Sequence, residues 1–227
     1  DGSAGATRAE MSRAEEILAD LRRRRNPDNI AGQRRYGITP KSEQLGVPVP
    51  HLREIAKRHR RDHALAQELW ATGVHEARLT AAFMDDPRQV TRSQAEAWTR
   101  QADSWALVDS ASMLFCRAEF AAEKARAWSG RKAEFVKRSG FSLMAMMAVH
   151  RKELPDDVFL EFLSIIRREA NDERNFVKKA VNWALRQIGK RNPRLRRSAI
   201  AEAVRIKKLD SPTARWIATD ALRELRS

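Results

Sequence analysis

Residues 176–188 read FVKKAVNWALRQI, and this stretch decides how the rest of the chain is interpreted. Its apolar residues recur every three to four positions, which is the spacing of one face of an α-helix. Its opening, Phe176-Val177-Lys178-Lys179, echoes Phe135-Val136-Lys137-Arg138, which lies 41 residues earlier. Weaker echoes are Glu76-Ala77-Arg78-Leu79 and Thr213-Ala214-Arg215-Trp216. The pattern predicts helical pairs that repeat about every 40 residues.

The remainder of the chain also has the composition of a helical protein. Strong helix formers dominate, and the eight prolines lie at plausible helix edges. We predict about eleven to thirteen helices of 8–19 residues and one long, partly irregular connection over residues 26–49. These features favour an all-α fold, a curved α-solenoid of HEAT-like repeats that forms one domain over residues 11–227. A plain helical bundle with accidental echoes is the alternative. Residues 1–10 resemble an expression remnant or a disordered N-terminus.

Charge points to the class of partner. The 227 residues carry a formal net charge of +14, and 42% of them are hydrophobic, too many for a disordered polyelectrolyte. Residues 176–208 contain eleven basic residues and one acidic residue, a net charge of +10. Smaller basic stretches cover residues 22–25 and 53–61. A solvated face normally mixes its signs, so this excess favours a nucleic acid over a basic but inert surface.

Cysteine and histidine offer little chemistry. The single Cys116 excludes an intrachain disulfide and a multi-cysteine zinc site, which indicates a reducing, cytoplasmic location. We expect Cys116 to be a small core residue. His59 and His63 are four residues apart on a predicted helix, but no third ligand is evident, so we predict no metal site. No stretch of about 20 apolar residues exists to span a membrane.

Tryptophan and aspartate form the most suggestive constellation. Trp105 and Asp109 are separated by four residues, which places an indole and a carboxylate on one helical face. Trp183 lies within the basic helix quoted above. The simpler interpretation is that both tryptophans belong to the core and that Asp109 is a solvated or hydrogen-bonded acid.

These blocks, taken together and in this order, resemble the AlkD-like family of DNA alkylation-repair glycosylases, which are built from HEAT-like repeats. The resemblance covers nearly the whole chain after residue 11 and is most specific over residues 177–186. Its other strong blocks are Leu45-Gly46-Val47-Pro48 through Leu52-Arg53, Ser104-Trp105-Ala106-Leu107-Val108-Asp109, Arg138 at the start of its helix, and the continuation to Arg191.

The resemblance implies a monofunctional hydrolase that holds duplex DNA in a basic concave cleft. Family members cleave the N-glycosidic bond of positively charged alkylated purines, such as 3-methyladenine and 7-methylguanine, and leave the lesion in the base stack. They use no cofactor and no metal, and we expect a monomer. By the same resemblance Asp109 is the catalytic carboxylate, and Trp105 and Trp183 are the cleft tryptophans. The residues expected to contact DNA are Arg138, Lys178, Lys179, Arg186, Lys190 and Arg191.

Two departures from the family pattern keep alternatives open. Tyr36, within residues 26–49, cannot be aligned with the family's N-terminal cleft aromatic, and Ser104 precedes Trp105 where relatives carry a second tryptophan. A non-catalytic protein that binds damaged or branched DNA would keep the basic surface without using Asp109. A protein-interaction scaffold is the third hypothesis, because many HEAT arrays have that use.

Overall fold

A computed structural model describes residues 11–227, so the prediction for residues 1–10 lies outside the described part of the chain. Within it there are thirteen α-helices and no β-strand. The helices are α1 (Arg13–Arg23), α2 (Pro27–Arg35), α3 (Val49–Arg58), α4 (His63–Ala71), α5 (His75–Met84), α6 (Arg92–Gln101), α7 (Trp105–Phe115), α8 (Ala121–Ser129), α9 (Glu134–His150), α10 (Asp156–Glu169), α11 (Asn175–Lys190), α12 (Pro193–Lys207) and α13 (Pro212–Leu225). The predicted all-α class and the predicted number of helices are confirmed.

Short polar side chains begin many of these helices. The Ser104 hydroxyl accepts a hydrogen bond from the Leu107 amide at 3.2 Å and so fixes the first turn of α7. Asn26 caps α2 in the same way, through the amide of Asn29 at 3.1 Å. The prediction of an irregular connection over residues 26–49 is therefore wrong in its first third. Asn26 and Pro27 start a helix there, and only residues 36–48 are irregular.

The helices form two rows. The first row contains α3, α5, α7, α9, α11 and α13, each of which packs on the next. The second row contains α4, α6, α8, α10 and α12, each of which packs on a helix of the first row. Neighbours contact one another more extensively in the first row than in the second, as expected for the row on the inside of a curved array. We call it the inner row. This is the arrangement of an α-solenoid of helical pairs.

The internal echo of the sequence corresponds to a real structural repeat. Phe135 and Phe176 occupy the same position at the starts of α9 and α11, and their rings stack with centroids 5.8 Å apart. Behind them the apolar stripe of α11 is fully buried, including Val177, Val181 and Leu185. The spacing of about 40 residues therefore arises because α9 and α11 are neighbours in the inner row.

The remaining sequence candidates are structural. The prediction that His59 and His63 share one helix is wrong, because α3 ends at Arg58, and a turn through Arg61, with φ of +66°, separates the two histidines. His63 instead contacts the buried carboxylate of Asp85 at 2.7 Å. Burial raises the pKa of the Cys116 thiol to about 11, as expected for an inert core residue. Residues 11–227 contain no group of three metal-ligating side chains and no helix that is long and apolar enough to cross a membrane.

Candidate nucleic-acid interface

Trp105 and Asp109 lie on successive turns of α7, in the middle of the inner row. The cap at Ser104 starts the helix directly before Trp105, so the indole is at the first helical position and the carboxylate is one turn later. Both side chains are half-buried, unlike the fully buried Leu107 and Val108 between them. The interpretation of Trp105 as a core residue therefore does not hold. The expected shared face exists, and it remains partly open.

Three donors from α9 hold the Asp109 carboxylate. Arg138 donates from Nε to Oδ1 at 3.1 Å and from Nη2 to Oδ2 at 2.8 Å, a two-point contact that fixes the carboxylate plane. Ser142, one turn further along α9, donates its hydroxyl to Oδ1 at 2.8 Å. The Asp109 side chain nevertheless keeps 22% of its surface exposed, whereas Arg138 keeps only 8%. Arg138 and Ser142 thus fix the orientation of the Asp109 carboxylate, and part of its surface stays accessible to solvent.

Arg138 also links three helices of the inner row. Its Nη1 donates to the backbone carbonyl of Phe176 at 2.7 Å, and its guanidinium lies 5.9 Å from the centre of the Trp105 ring. All three of its nitrogens are therefore engaged within the protein. This differs from the free phosphate clamp that the resemblance implied, because the nearby carboxylate and carbonyl satisfy the buried charge. A phosphate contact by Arg138 stays a prediction, and the observed role is to position Asp109.

The irregular residues 36–48 also contact Trp105 and the start of α11. The Trp105 indole nitrogen donates to the carbonyl of Tyr36 at 3.0 Å, and the Tyr36 side chain is 77% exposed beside it. Gly37 follows with φ of +75°, and a Cβ there would lie 2.7 Å from the ring of Phe176. Glycine is therefore needed both for the turn and for the close approach. Sequence reasoning could not place Tyr36, because its partner in α7 is about 70 residues away.

Helix α11 contributes Trp183 and two free cations. Trp183 is half-buried against the core, and within residues 11–227 it forms no aromatic pair with Trp105. Lys178 lies with its Nζ 5.2 Å from the centre of the partly exposed Trp216 ring, and Lys179 is exposed. Neither lysine forms an ion pair with a carboxylate of the described chain. They are the cations of the basic helix that remain available to a polyanion.

The more distal basic residues of this stretch are engaged inside the protein. Arg186 pairs with Glu224 at 2.5 Å, and Lys190 pairs with the same carboxylate. Arg191 donates to four backbone carbonyls in the last turn of α9 and directly after it, at 2.9–3.0 Å, and its guanidinium lies 4.4 Å from the centre of the Phe159 ring. Arg191 therefore has a structural role, because the carbonyls at a helix end need donors, and its contact with DNA stays a prediction. For Arg186 and Lys190, DNA contact stays a prediction.

Comparisons with known proteins identify the family and support the fold. A family model described as DNA alkylation repair enzyme matches residues 17–225. A similar solved structure is described as representing a new family of proteins related to the HEAT-like repeat DNA glycosylases with affinity for branched DNA structures. It shares 18% sequence identity with a TM-score of 0.75, over 92% of this chain and 93% of the other. No curated protein matches the chain. The structural likeness supports the predicted solenoid fold.

Proposed function

The chain belongs to the DNA alkylation repair enzyme family, and from that premise we propose that it hydrolyses the N-glycosidic bond of positively charged alkylated purines in duplex DNA. Adducts of the 3-methyladenine and 7-methylguanine type are the proposed substrates. The observation that carries the proposal is the Asp109 carboxylate, which Arg138 and Ser142 fix from behind while its other side stays open on the inner row.

The chemistry of the reaction suits this arrangement. A cationic base is already a good leaving group, so the protein needs no strong general acid. Positive charge develops on the sugar as the bond breaks, and the Asp109 carboxylate stabilises that charge and orients or deprotonates the attacking water. The indoles of Trp105 and Trp183 attract the same cationic sugar through their electron-rich faces. No covalent lysine intermediate is required, so the enzyme acts as a monofunctional glycosylase on a lesion that stays in the stack.

Binding of the duplex rests on the free cations of the inner row. Lys178 and Lys179 stand at the start of α11, one helix away from Arg138 and without carboxylate partners in the described chain. Lysines in this state exchange counterions for DNA phosphates, which supplies affinity and a steep dependence on salt. We propose that the protein acts as a monomer in the cytoplasm, associated with the chromosome when it is bound to DNA.

The decisive experiment measures release of free methylated base from methylated duplex DNA. Asp109→Asn keeps the shape of the side chain and removes its charge, so we expect the rate of release to fall about 100-fold or more while the affinity for duplex stays within about twofold. Asp210→Asn is the matched control, because Asp210 is fully exposed and its one ion pair within residues 11–227, with Arg215, is weak at 3.8 Å. Equal release by wild-type protein and Asp109→Asn would remove Asp109 from the mechanism.

A second candidate function is binding of damaged or branched DNA without excision. Two observations favour it: the Arg138 guanidinium already neutralises the Asp109 charge, and the similar solved structure is described by its affinity for branched DNA. This function predicts tight, salt-sensitive binding and no released base after long incubation. The release assay on the wild-type protein therefore separates the two functions.

A further inference from the structure

We propose that a cavity beside Asp109 binds an unpaired DNA nucleotide whose base is uncharged. The cavity has a volume of about 310 Å³ and opens among α3, α5, α7 and α9, all of them inner-row helices. This volume is at the lower end of the range for small-molecule sites. The proposal rests on the DNA binding in the proposed function and is independent of base release.

The cavity continues the half-buried stripe of α7. Trp105, Asp109 and Met113 follow one another at intervals of four residues, so they share one helical face at steps of about 6 Å along the axis. Trp105 lies on one side of Asp109, and Met113 lines the cavity on the other side. A DNA strand that presents a sugar to Asp109 would therefore bring a neighbouring nucleotide to the mouth of the cavity.

The walls suit the flat face of a base. Phe83, Met113, Leu114 and Met146 supply an aromatic ring, two polarisable thioethers and a branched aliphatic chain. Base faces pack favourably on such side chains without regard to base identity. The cavity would thus recognise the unpaired state of a nucleotide rather than its sequence.

The rim of the cavity is positively charged. Arg53 and Arg117 are exposed and form no ion pair with a carboxylate in residues 11–227, and the Arg53 guanidinium stacks 4.5 Å from the centre of the Phe83 ring. The two acidic residues of the lining are already engaged. Asp109 is held by Arg138, and Asp85 contacts His63 and accepts a hydrogen bond from Gln94, each at 2.7 Å. The two free guanidinium groups therefore suit a phosphate.

The same charges argue against the alkylated base as the occupant. A cationic purine would be repelled by the two arginines, whereas a neutral base carries no such penalty and brings its phosphate to them. The occupant is therefore a normal nucleotide without a partner, as in a bulge or at a branch. The lesion itself would remain on the Trp105 side of Asp109.

The test compares two duplexes of the same sequence, one of which carries one additional unpaired adenosine. Fluorescence anisotropy with the full chain should show about tenfold tighter binding of the bulged duplex, which is within the range that stacking of one base supplies. With 2-aminopurine in the bulge, bound protein should protect its fluorescence from quenching by acrylamide, because the base is enclosed.

Two variants assign the effect to the cavity. Met113→Trp fills the space with a larger ring and should abolish the preference for the bulge while the affinity for the paired duplex is retained. Arg117→Ala should weaken the preference by removing half of the phosphate contact, and it serves as the test if Met113→Trp does not give the circular dichroism spectrum of a folded protein. Arg100→Ala, at an exposed arginine on α6 in the second row and outside the basic stretches of the sequence, is the control and should change neither affinity.

Each other outcome overturns the inference in a recognisable way. Equal binding of the two duplexes, or an unprotected 2-aminopurine, would show that no nucleotide enters. If Met113→Trp still prefers the bulged duplex and Arg117→Ala does not, the rim arginines bind a phosphate but no base enters the cavity. If the paired duplex also fails to bind at low salt, the proposed function falls with the inference; if it binds without preference, only the inference falls.

Discussion

The starts of α9 and α11 carry two four-residue motifs that differ only in their last residue, and their cations have opposite uses. In α9, Lys137 pairs with Glu169 at 2.7 Å and with Asp172 at 3.0 Å, while Arg138 holds Asp109. In α11, the equivalent cations Lys178 and Lys179 have no carboxylate partner within the described chain. The difference shows that position in a repeat fixes where a charge lies, whereas its neighbours in space decide whether it organises the protein or remains available to DNA.

Among these variants, we expect the loss of Arg138 at the start of α9 to have the largest effect on stability. Arg138→Ala leaves the half-buried Asp109 carboxylate without its main partner and frees the Phe176 carbonyl. We expect the free energy of unfolding to fall by about 4 kcal/mol, whereas Lys179→Ala should change it by less than about 0.5 kcal/mol. Urea denaturation of both variants measures the contrast, and equal values would show that the two copies do not differ.

Lys137 tests the same contrast through the pH dependence of the free energy of unfolding. Its ion pairs contribute to lowering the pKa of Glu169, against the opposing effect of burial, and Arg174 with Lys137 lowers the pKa of Asp172. Because these pKa values are lower in the folded state, the stability they contribute is present at neutral pH and is lost as pH falls below the ordinary values of 4.5 and 3.8.

Lys137→Met should therefore lower the free energy of unfolding at pH 7 by about 3 kcal/mol and reduce its further decline between pH 5 and pH 3. Lys178→Met should keep the wild-type decline, since no carboxylate depends on Lys178 in the described chain. Denaturation curves across this pH range measure both effects. An identical pH dependence in all three proteins would contradict the assignment of the Lys137 pairs.

The cations at the start of α11 should affect the affinity for DNA rather than the stability of the protein. In Lys178→Ala with Lys179→Ala, we expect the affinity for duplex DNA to fall about tenfold at low salt and the slope of log affinity against log salt to decrease by about 1.8, which is about 0.9 for each lost phosphate contact. Anisotropy titrations at several salt concentrations measure the slope. An unchanged slope would place the phosphates elsewhere.

We expect the smallest effect on stability from the stacked rings of Phe135 and Phe176, which join the starts of α9 and α11. Phe176→Leu removes the stacking of Phe176 on Phe135 but keeps an apolar side chain, so we expect a loss of about 1 kcal/mol in the free energy of unfolding. Phe159→Leu, in the fully buried edge-on pair of Phe159 with Phe162, is a comparison away from the two motifs, and it also removes the ring that the Arg191 guanidinium contacts. A much larger loss for Phe176→Leu would mean that the stack also supports the site.

The sequence was sufficient for the fold and for the shared face of Trp105 and Asp109, because both depend on local spacing. Helical periodicity, caps and the echo of residues 135–138 in 176–179 predicted the rows of helices. The spacing of Trp105 and Asp109 predicted that the two side chains share one face of α7. These signals lie within one or two turns of a helix, or repeat along the chain, and so they can be read without knowing the packing.

The partners of the charged side chains could not be read in this way. Arg138 and Arg191 have the same chemistry in the sequence, yet one holds a carboxylate 29 residues away and the other gathers backbone carbonyls. The cavity beside Asp109 draws its lining from four separate helices. Such features arise only when distant helices come together, which a periodicity in one dimension does not specify.

The placement of residues 36–48 changes how the array should come apart. In a linear array each helical pair touches only its neighbours, so the ends can fray without disturbing the middle. Here the turn at Gly37 meets Phe176, and the Tyr36 carbonyl binds Trp105, contacts that cross several helical pairs. Residues 36–48 therefore tie the end of α2 to α7 and α11, and these contacts must break together before the array of helices can open. Amide exchange in α2, α7 and the start of α11 should therefore report a single cooperative event rather than progressive unwinding from one end.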